Sequence, residues 1–328
     1  MNKRITSKEL AKLAGVSSAT ISRAFSSDSR ISAATRDRIL SIAQQHDYQP
    51  NALARSLNSQ RSRLVALVVN SIENPAEAEQ LQYLVHRLQE RELLPIILCC
   101  AGFDDRAQLM RMASAYQVDH VVVFSDMVPY EDALQIFRTA RPIIVSNEPL
   151  SHGDTSVVRF DGAAAAQEVV DKAVESGKSH FAYLTGRKSS WIDKQRKAWF
   201  ADALRKHGLA FEAEGHGDYS YDSGFKEAVL LLRRSKVDAV VCGNDVMAIG
   251  VRDAAARVLG KSVPEDVAVI GQDGIAVASW DCHDLTTMAL DNIAFIDSIV
   301  RLIEQDQEED AEPETVVLDL KVRWGSTC

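Results

Sequence analysis

The chain has no apolar run long enough to span a bilayer as a helix, so it is not read as a helical membrane protein. Lys3 and Arg4 are not followed by an apolar stretch, so no secretory signal is recognised and a cytoplasmic location is expected. Cys99, Cys100, Cys242, Cys282 and Cys328 are odd in number and show neither C-x-x-C nor zinc-ligand spacing. They are expected to be small buried hydrophobes in a reducing compartment, with no disulfide framework and no metal site. No G-x-G-x-x-G occurs, and Gly177-Lys-Ser and Gly260-Lys-Ser lack the upstream glycine of a phosphate-binding loop. Histidines and aspartates are scattered without a nucleophile beside them. Neither an enzyme nor a cofactor is expected.

What is present is an ordinary globular composition with a lopsided charge. The 328 residues are 46% hydrophobic and 25% charged, with a net charge of -9. Residues 1–63 hold eleven Lys and Arg against four acids, a balance of +7, so the remainder stands at -16. A basic head on an acidic body is expected where only the head meets a polyanion.

The head opens on Thr6-Ser-Lys-Glu9, a capping box that starts one helix. Leu10, Leu13 and Ala14 give that helix an apolar stripe, and Gly15 stops it. Val16 plugs the turn. Ser17 caps a second helix that turns Ile21 and Ala24 inward and leaves Ser18, Ala19, Thr20, Ser22 and Arg23 exposed. Two helices joined this way form a helix-turn-helix, whose second helix fits a major groove. Ser32 caps a third helix, about 33–46, with Ile39, Leu40, Ile42 and Ala43 inward, and residues 1–47 close a minimal core.

Residues 48–63 follow as a connector. Pro50 ends the third helix. Asn51 caps a segment of about two turns, Ala52 to Leu57, too short to stand alone in water. From Leu64 short apolar runs alternate with amphipathic segments in two series, which predicts a parallel sheet with helices on both faces, twice over. The expected architecture is a small all-α head on an α/β body of two similar lobes, about 64–159 and 160–290, with 291–328 returning across both. In open α/β lobes ligands sit beyond the carboxyl ends of the strands. Those ends are polar here, at Asn70-Ser71, Asn74-Pro75, Ser146-Asn147, Gly186-Arg187, Gly243-Asn244-Asp245 and Gln272-Asp273.

These motifs resemble the lactose-repressor (LacI/GalR) family of bacterial transcription regulators over nearly the whole chain. The resemblance is carried by Leu10–Arg23, by Tyr48-Gln-Pro50-Asn51-Ala-Leu-Ala54-Arg55-Ser-Leu57, by Asn244-Asp245-Val-Met-Ala-Ile-Gly250, by Val263–Val267 with Gly271-Gln-Asp273, and by Leu285-Thr-Thr287. It implies that Ser18 and Ala19 read base edges at the start of the recognition helix and that Arg23 contacts a base or the backbone. Thr6, Ser17, Thr20 and Ser22 suit phosphate contacts, which position without specifying. It further implies that Asn51 begins a hinge helix whose Ala54 and Leu57 enter the minor groove, with Leu57 wedging between base pairs. For the effector it implies Arg196, in Arg-x-x-x-Phe200, together with Asn74, Asn244 and Asp273 as polar partners and Phe160 and Tyr219 as apolar or aromatic ones. Trp280 either stacks on a sugar face or is a buried structural residue.

Ala76 stands where the family usually has an aromatic, which suggests a more open pocket, and Gln272 also stands where an aromatic is usual. No leucine-heptad tail is recognised, so a homodimer is expected. The partners implied are double-stranded, pseudo-palindromic operator DNA and a small effector, with no membrane. Arg196, Asn244 and Asp273 suit a polyhydroxylated molecule, a sugar or sugar acid. The rival expectation is a sugar-binding protein without operator function, which shares the two-lobed body but not the need for a basic head.

Overall fold

The computed structural model describes residues 5–25, 31–50, 61–100, 102, 105–124, 130–137, 140–148, 155–187, 190–234, 236–306 and 312–328. The chain divides into two units, residues 1–63 and 64–328.

The first unit holds α1 (Ser7–Ala14), α2 (Ser18–Ala24) and α3 (Ala33–Gln45). Each start is fixed by a side chain. Thr6 and Glu9 make a reciprocal capping box, and Ser17 and Ser32 accept from the N–H groups of Thr20 and Thr35. Gly15 closes α1 at φ +62°, a conformation that costs other residues a Cβ clash. Leu10, Ala11, Ala14, Ile21, Ala24, Ile39 and Ala43 form the core, and Phe25 and Tyr48 pack against it with ring centroids 5.7 Å apart. Leu13 is not part of this core. It is 52% exposed, and Ala11 takes the inward position instead, because α1 is only two turns long and is crossed on one side. Leu40 is likewise exposed on α3. The segment carrying Asn51, Ala54 and Leu57 lies outside the described residues.

The second unit contains two six-stranded sheets. The first has the order β11-β5-β4-β3-β1-β2, all parallel, from β1 (Leu64–Val69), β2 (Leu94–Cys99), β3 (His120–Val123), β4 (Pro142–Val145), β5 (Val157–Asp161) and β11 (Thr315–Asp319). The second has the order β12-β10-β9-β8-β6-β7, from β6 (Phe181–Thr185), β7 (Phe211–His216), β8 (Ala239–Cys242), β9 (Ala268–Asp273), β10 (Thr286–Ala289) and β12 (Lys321–Arg323), the last antiparallel. Alternate residues of one strand feed opposite cores, as period-two geometry requires. Val65, Leu67 and Val69 face one cluster while Ala66 and Val68 face another. Val240 and Cys242 part from Ala239 and Val241 in the same way.

The helices that cover these sheets are α4 (Pro75–Glu90), α5 (Arg106–Ser114), α6 (Tyr130–Ile136), α7 (Ala163–Glu175), α8 (Trp191–Lys206), α9 (Tyr221–Arg234), α10 (Asp245–Val258) and α11 (Asn292–Gln305). The chain leaves the first lobe after β5, returns at α11, which packs in the core of β1 and β4, and crosses once more between β11 and β12. Three chain segments thus cross between the two lobes. Strands β5, β7 and β12 were not foreseen from the sequence. β7 is an edge strand with largely alternating burial, β12 is an edge strand of three residues, and β5 is only five residues long.

Candidate functional site

In α2 of the head, Ser18, Ala19, Ser22 and Arg23 are exposed and Thr20 is half-buried, while Ile21 and Ala24 anchor the helix below them. The hydroxyls of three of the expected phosphate-contact residues also serve the fold. Thr6 Oγ1 donates to Glu9, and Ser17 Oγ lies 2.8 Å from Thr20 Oγ1. The exposed set is short and mostly polar, with one guanidinium.

In the body, the polar strand ends of both lobes converge on a cavity of about 530 Å³, a volume within the usual range for small-molecule sites. The first lobe contributes Asn74, Asn147, Phe124 and Phe160, and the second Arg187, Ser190, Arg196, Tyr219, Asn244 and Asp273. Six of the seven expected effector residues therefore line one cavity.

Arg196 lies on the inner face of α8. Its Nη2 donates to Asp273 Oδ1 at 2.6 Å and its Nη1 to the Gly243 carbonyl at 2.8 Å. The two side chains are only 16% and 10% exposed. Burial works against the arginine's charge, but its surroundings, Asp273 foremost, more than offset it and hold the guanidinium protonated above its ordinary value. Asp273 ends β9 at φ +124°, a strained conformation for a residue with a Cβ, and such strain persists where neighbours over-determine it. Among the described residues its second carboxylate oxygen accepts no side-chain or backbone hydrogen bond, and the residue lines the cavity.

Asn244 is 1% exposed and caps α10, with Oδ1 accepting from Met247 N–H. Its Nδ2 donates to the Tyr219 carbonyl at 3.1 Å. Asn244 thus holds Tyr219, which sits at φ +73° with its ring against Gly186. A Cβ on Gly186 would come within 1.9 Å of that ring, so glycine is required there. Burial, then the charge of Asp193, push the Tyr219 phenol up, and it stays protonated and able to donate. Across the cavity, Asn74 caps α4 through Oδ1 on Ala76 N–H, which leaves its Nδ2. Phe160 is fixed through its backbone, with Asn147 accepting from its N–H at 2.9 Å and donating to its carbonyl at 2.8 Å. Its ring meets Phe295 edge-on.

Trp280 does not line the cavity. It is 57% exposed, because the chain turns away after Asp273 through a short 3-10 helix (Ala276–Ser279) before β10 brings it back. Gln272 is fully buried, with Nε2 donating to the Cys242 carbonyl. Sequence reasoning missed Asn147, Arg187, Ser190, Asp218 and Trp199 as lining residues. Asn147 and Arg187 stood in polar strand ends; Trp199 carried no signal, since helical periodicity reads it as core. Among the described residues no group of three or more His, Cys, Asp or Glu could hold a metal, and no helix is long and apolar enough to cross a membrane.

Comparison with known proteins places this geometry. Residues 6–51 match the family described as bacterial regulatory proteins, lacI family, and residues 170–328 match the periplasmic binding protein-like domain. The HTH-type transcriptional regulator AscG of Escherichia coli (strain K12) is 30% identical over 306 residues, 91% of this chain and 91% of that protein. The chain belongs to the lacI family of bacterial regulatory proteins. Another relative is the HTH-type transcriptional repressor CytR of the same organism, 27% identical over 87% of this chain and 84% of its own. Among solved structures, the lac repressor dimer bound to operator and the anti-inducer ONPF shares the fold, with a TM-score of 0.88, 22% identity and 99% coverage of each chain. The transcriptional regulator CelR in complex with cellobiose matches with a TM-score of 0.73 and 25% identity, covering 99% of this chain and 100% of that one. As a lacI-family member, this protein is a regulator with a helix-turn-helix head and a two-lobed body.

Proposed function

We propose that this lacI-family protein is a dimeric transcriptional repressor whose grip on a pseudo-palindromic operator is set by a small sugar or sugar-acid effector held between the lobes. The observation that carries the reading is the convergence of Arg196, Asp273, Asn244 and Tyr219 from one lobe with Asn74 and Phe160 from the other on a single cavity. Such a ring of fixed donors and acceptors beside aromatic faces suits a polyol. CytR is named a repressor, CelR is seen with cellobiose, and the lac repressor dimer is seen on its operator. These support the same reading here.

In this account Ser18, Ala19 and Arg23 read bases, and Thr6, Ser17, Thr20 and Ser22 meet phosphates. Asn51, Ala54 and Leu57 belong to a hinge helix that orders only when DNA and its partner hinge bury it. A ligand that prefers one relation of the lobes biases whether both hinges can order, with a coupling of ~1–3 kcal/mol. The second reading, a sugar-binding protein that does not use operator DNA, is separated by gel shift on duplexes selected from a random pool. The full chain is expected to bind with a steep salt dependence, and residues 64–328 alone are not. Equal binding by both would overturn the proposal.

A further inference from the structure

The cavity contains two guanidinium groups, and they are not equivalent. Arg196 is paired with Asp273 and donates to the Gly243 carbonyl, so its charge is already met and only its remaining N–H groups are open to neutral hydroxyls. Arg187 sits two residues beyond the end of β6, half-buried in the cavity wall, and among the described residues no acceptor meets its side chain. Asp218, which lines the same cavity, makes no hydrogen bond to Arg187 and instead accepts from Ser220 N–H at 3.0 Å. Ser220 and Ser223 hold that carboxylate below its usual range, with Arg187 adding the smallest share. On the opposite lobe, Glu77 accepts from Ser71 N–H at 3.3 Å. A planar fork of donors facing a small-molecule cavity without an acceptor lacks its complement, and a carboxylate supplies one by two parallel hydrogen bonds.

Resting on the effector reading above, we infer that the ligand is a sugar monocarboxylate, a uronic or aldonic acid, whose carboxylate pairs with Arg187 while its hydroxyls meet Arg196, Asp273 and Tyr219. A phosphorylated sugar is disfavoured. A phosphate brings about 1.5 to 2 negative charges, and the cavity offers one uncommitted guanidinium beside Asp218 and Glu73.

The test is isothermal titration of the full chain with matched probes. These are D-glucuronate, D-galacturonate and D-gluconate against D-glucose and D-galactose, and the corresponding 6-phosphates, each on the wild type, Arg187→Gln and Arg187→Lys. The expected result is that at least one acid outbinds its neutral parent, and that Arg187→Gln erases about 10- to 100-fold of that preference, as loss of a charge-assisted pair should. Arg187→Lys, which keeps the charge but not the fork, falls between. The inference is overturned if a neutral parent binds as tightly as its acid, if Arg187→Gln leaves the preference intact, or if a 6-phosphate binds best. A neutral sugar that binds the wild type as tightly as its acid, and loses that binding in Arg196→Met, would leave the effector reading standing while this inference falls. Binding by no probe of any class would overturn both.

Discussion

The Arg196–Asp273 pair allows a prediction with a worked magnitude. Replacing Arg196 by Met keeps most of the packing but strands a carboxylate that is only 10% exposed. Breaking a buried pair from one side typically costs ~3–5 kcal/mol. Protonation sets a ceiling. At pH 7 a carboxylate of ordinary pKa takes up a proton for about 4 kcal/mol, so the penalty should reach about 3–4 kcal/mol and go no further. Asp273→Asn should cost less, because Arg196 keeps the Gly243 carbonyl and reaches cavity water. In the double variant no charge is stranded, and the pair should show about 2 kcal/mol of coupling.

The sign of the pH dependence follows. Burial already raises the Asp273 carboxyl against the opposing effect of Arg196; without Arg196 it rises further, so the variant is most stable where the carboxyl is protonated and loses more stability than the wild type as pH rises. Each unit from pH 7 down to pH 5 should return at most about 1.4 kcal/mol to Arg196→Met relative to the wild type. Urea unfolding of the four proteins at three pH values tests this. A pH-independent cost below about 1 kcal/mol, or strict additivity, would refute the claim that this is a buried, mutually dependent pair.

Three further predictions concern the elements around the site. Gly186→Ala should push the Tyr219 ring out of the cavity and abolish ligand binding by calorimetry, while DNA affinity without ligand is retained; unchanged ligand affinity would show that the ring yields freely. Ser17→Ala removes the cap of α2 and should cost the head about 1 kcal/mol, seen as weaker DNA binding with an unshifted unfolding transition of the body. Asp245 is buried, and burial followed by the charge of Asp273 pushes its carboxyl up to about 6. The contribution is present below the unfolded value near 4 and is lost as pH rises through 6. The wild type should therefore lose on the order of 2 kcal/mol relative to Asp245→Asn between pH 4.5 and 7.5, and parallel profiles in urea unfolding would contradict it.

The sequence made the head legible because its signals are local. Thr6, Gly15, Ser17 and Ser32 each act within four residues, and helix limits followed to within a residue. The βα alternation was legible for the same reason, since buried parallel strands such as Leu64–Val69 read as unbroken apolar runs. The edge strand Phe211–His216 was not, because only one face is covered and its alternation of Glu with Phe and Ala looks like a loop. Leu13 was misplaced because spacing names a face of a helix but not what covers it.

For the cavity, polar strand ends pointed to Asn244 and Asp273, and the family resemblance to Arg196. What no spacing conveyed was which polar groups are already spent. Asn244 uses both ends of its amide on Met247 and Tyr219, Arg196 is held by Asp273, and Arg187 meets no acceptor among the described residues. Trp280, a plausible stacking residue on composition, failed because the chain leaves the cavity seven residues before it.

The central claim is that occupancy of this cavity changes the hold on DNA. The direct measurement is the affinity of the full chain for a duplex selected from a random pool, with and without a cavity ligand from the carboxylate panel, for the wild type and for Arg196→Ala. Coupling of ~1–3 kcal/mol predicts a change of about 5- to 150-fold in the wild type and none in the variant, whose unliganded affinity is unaltered. An affinity that ignores a bound ligand in the wild type, or a response that survives in Arg196→Ala, would contradict the account.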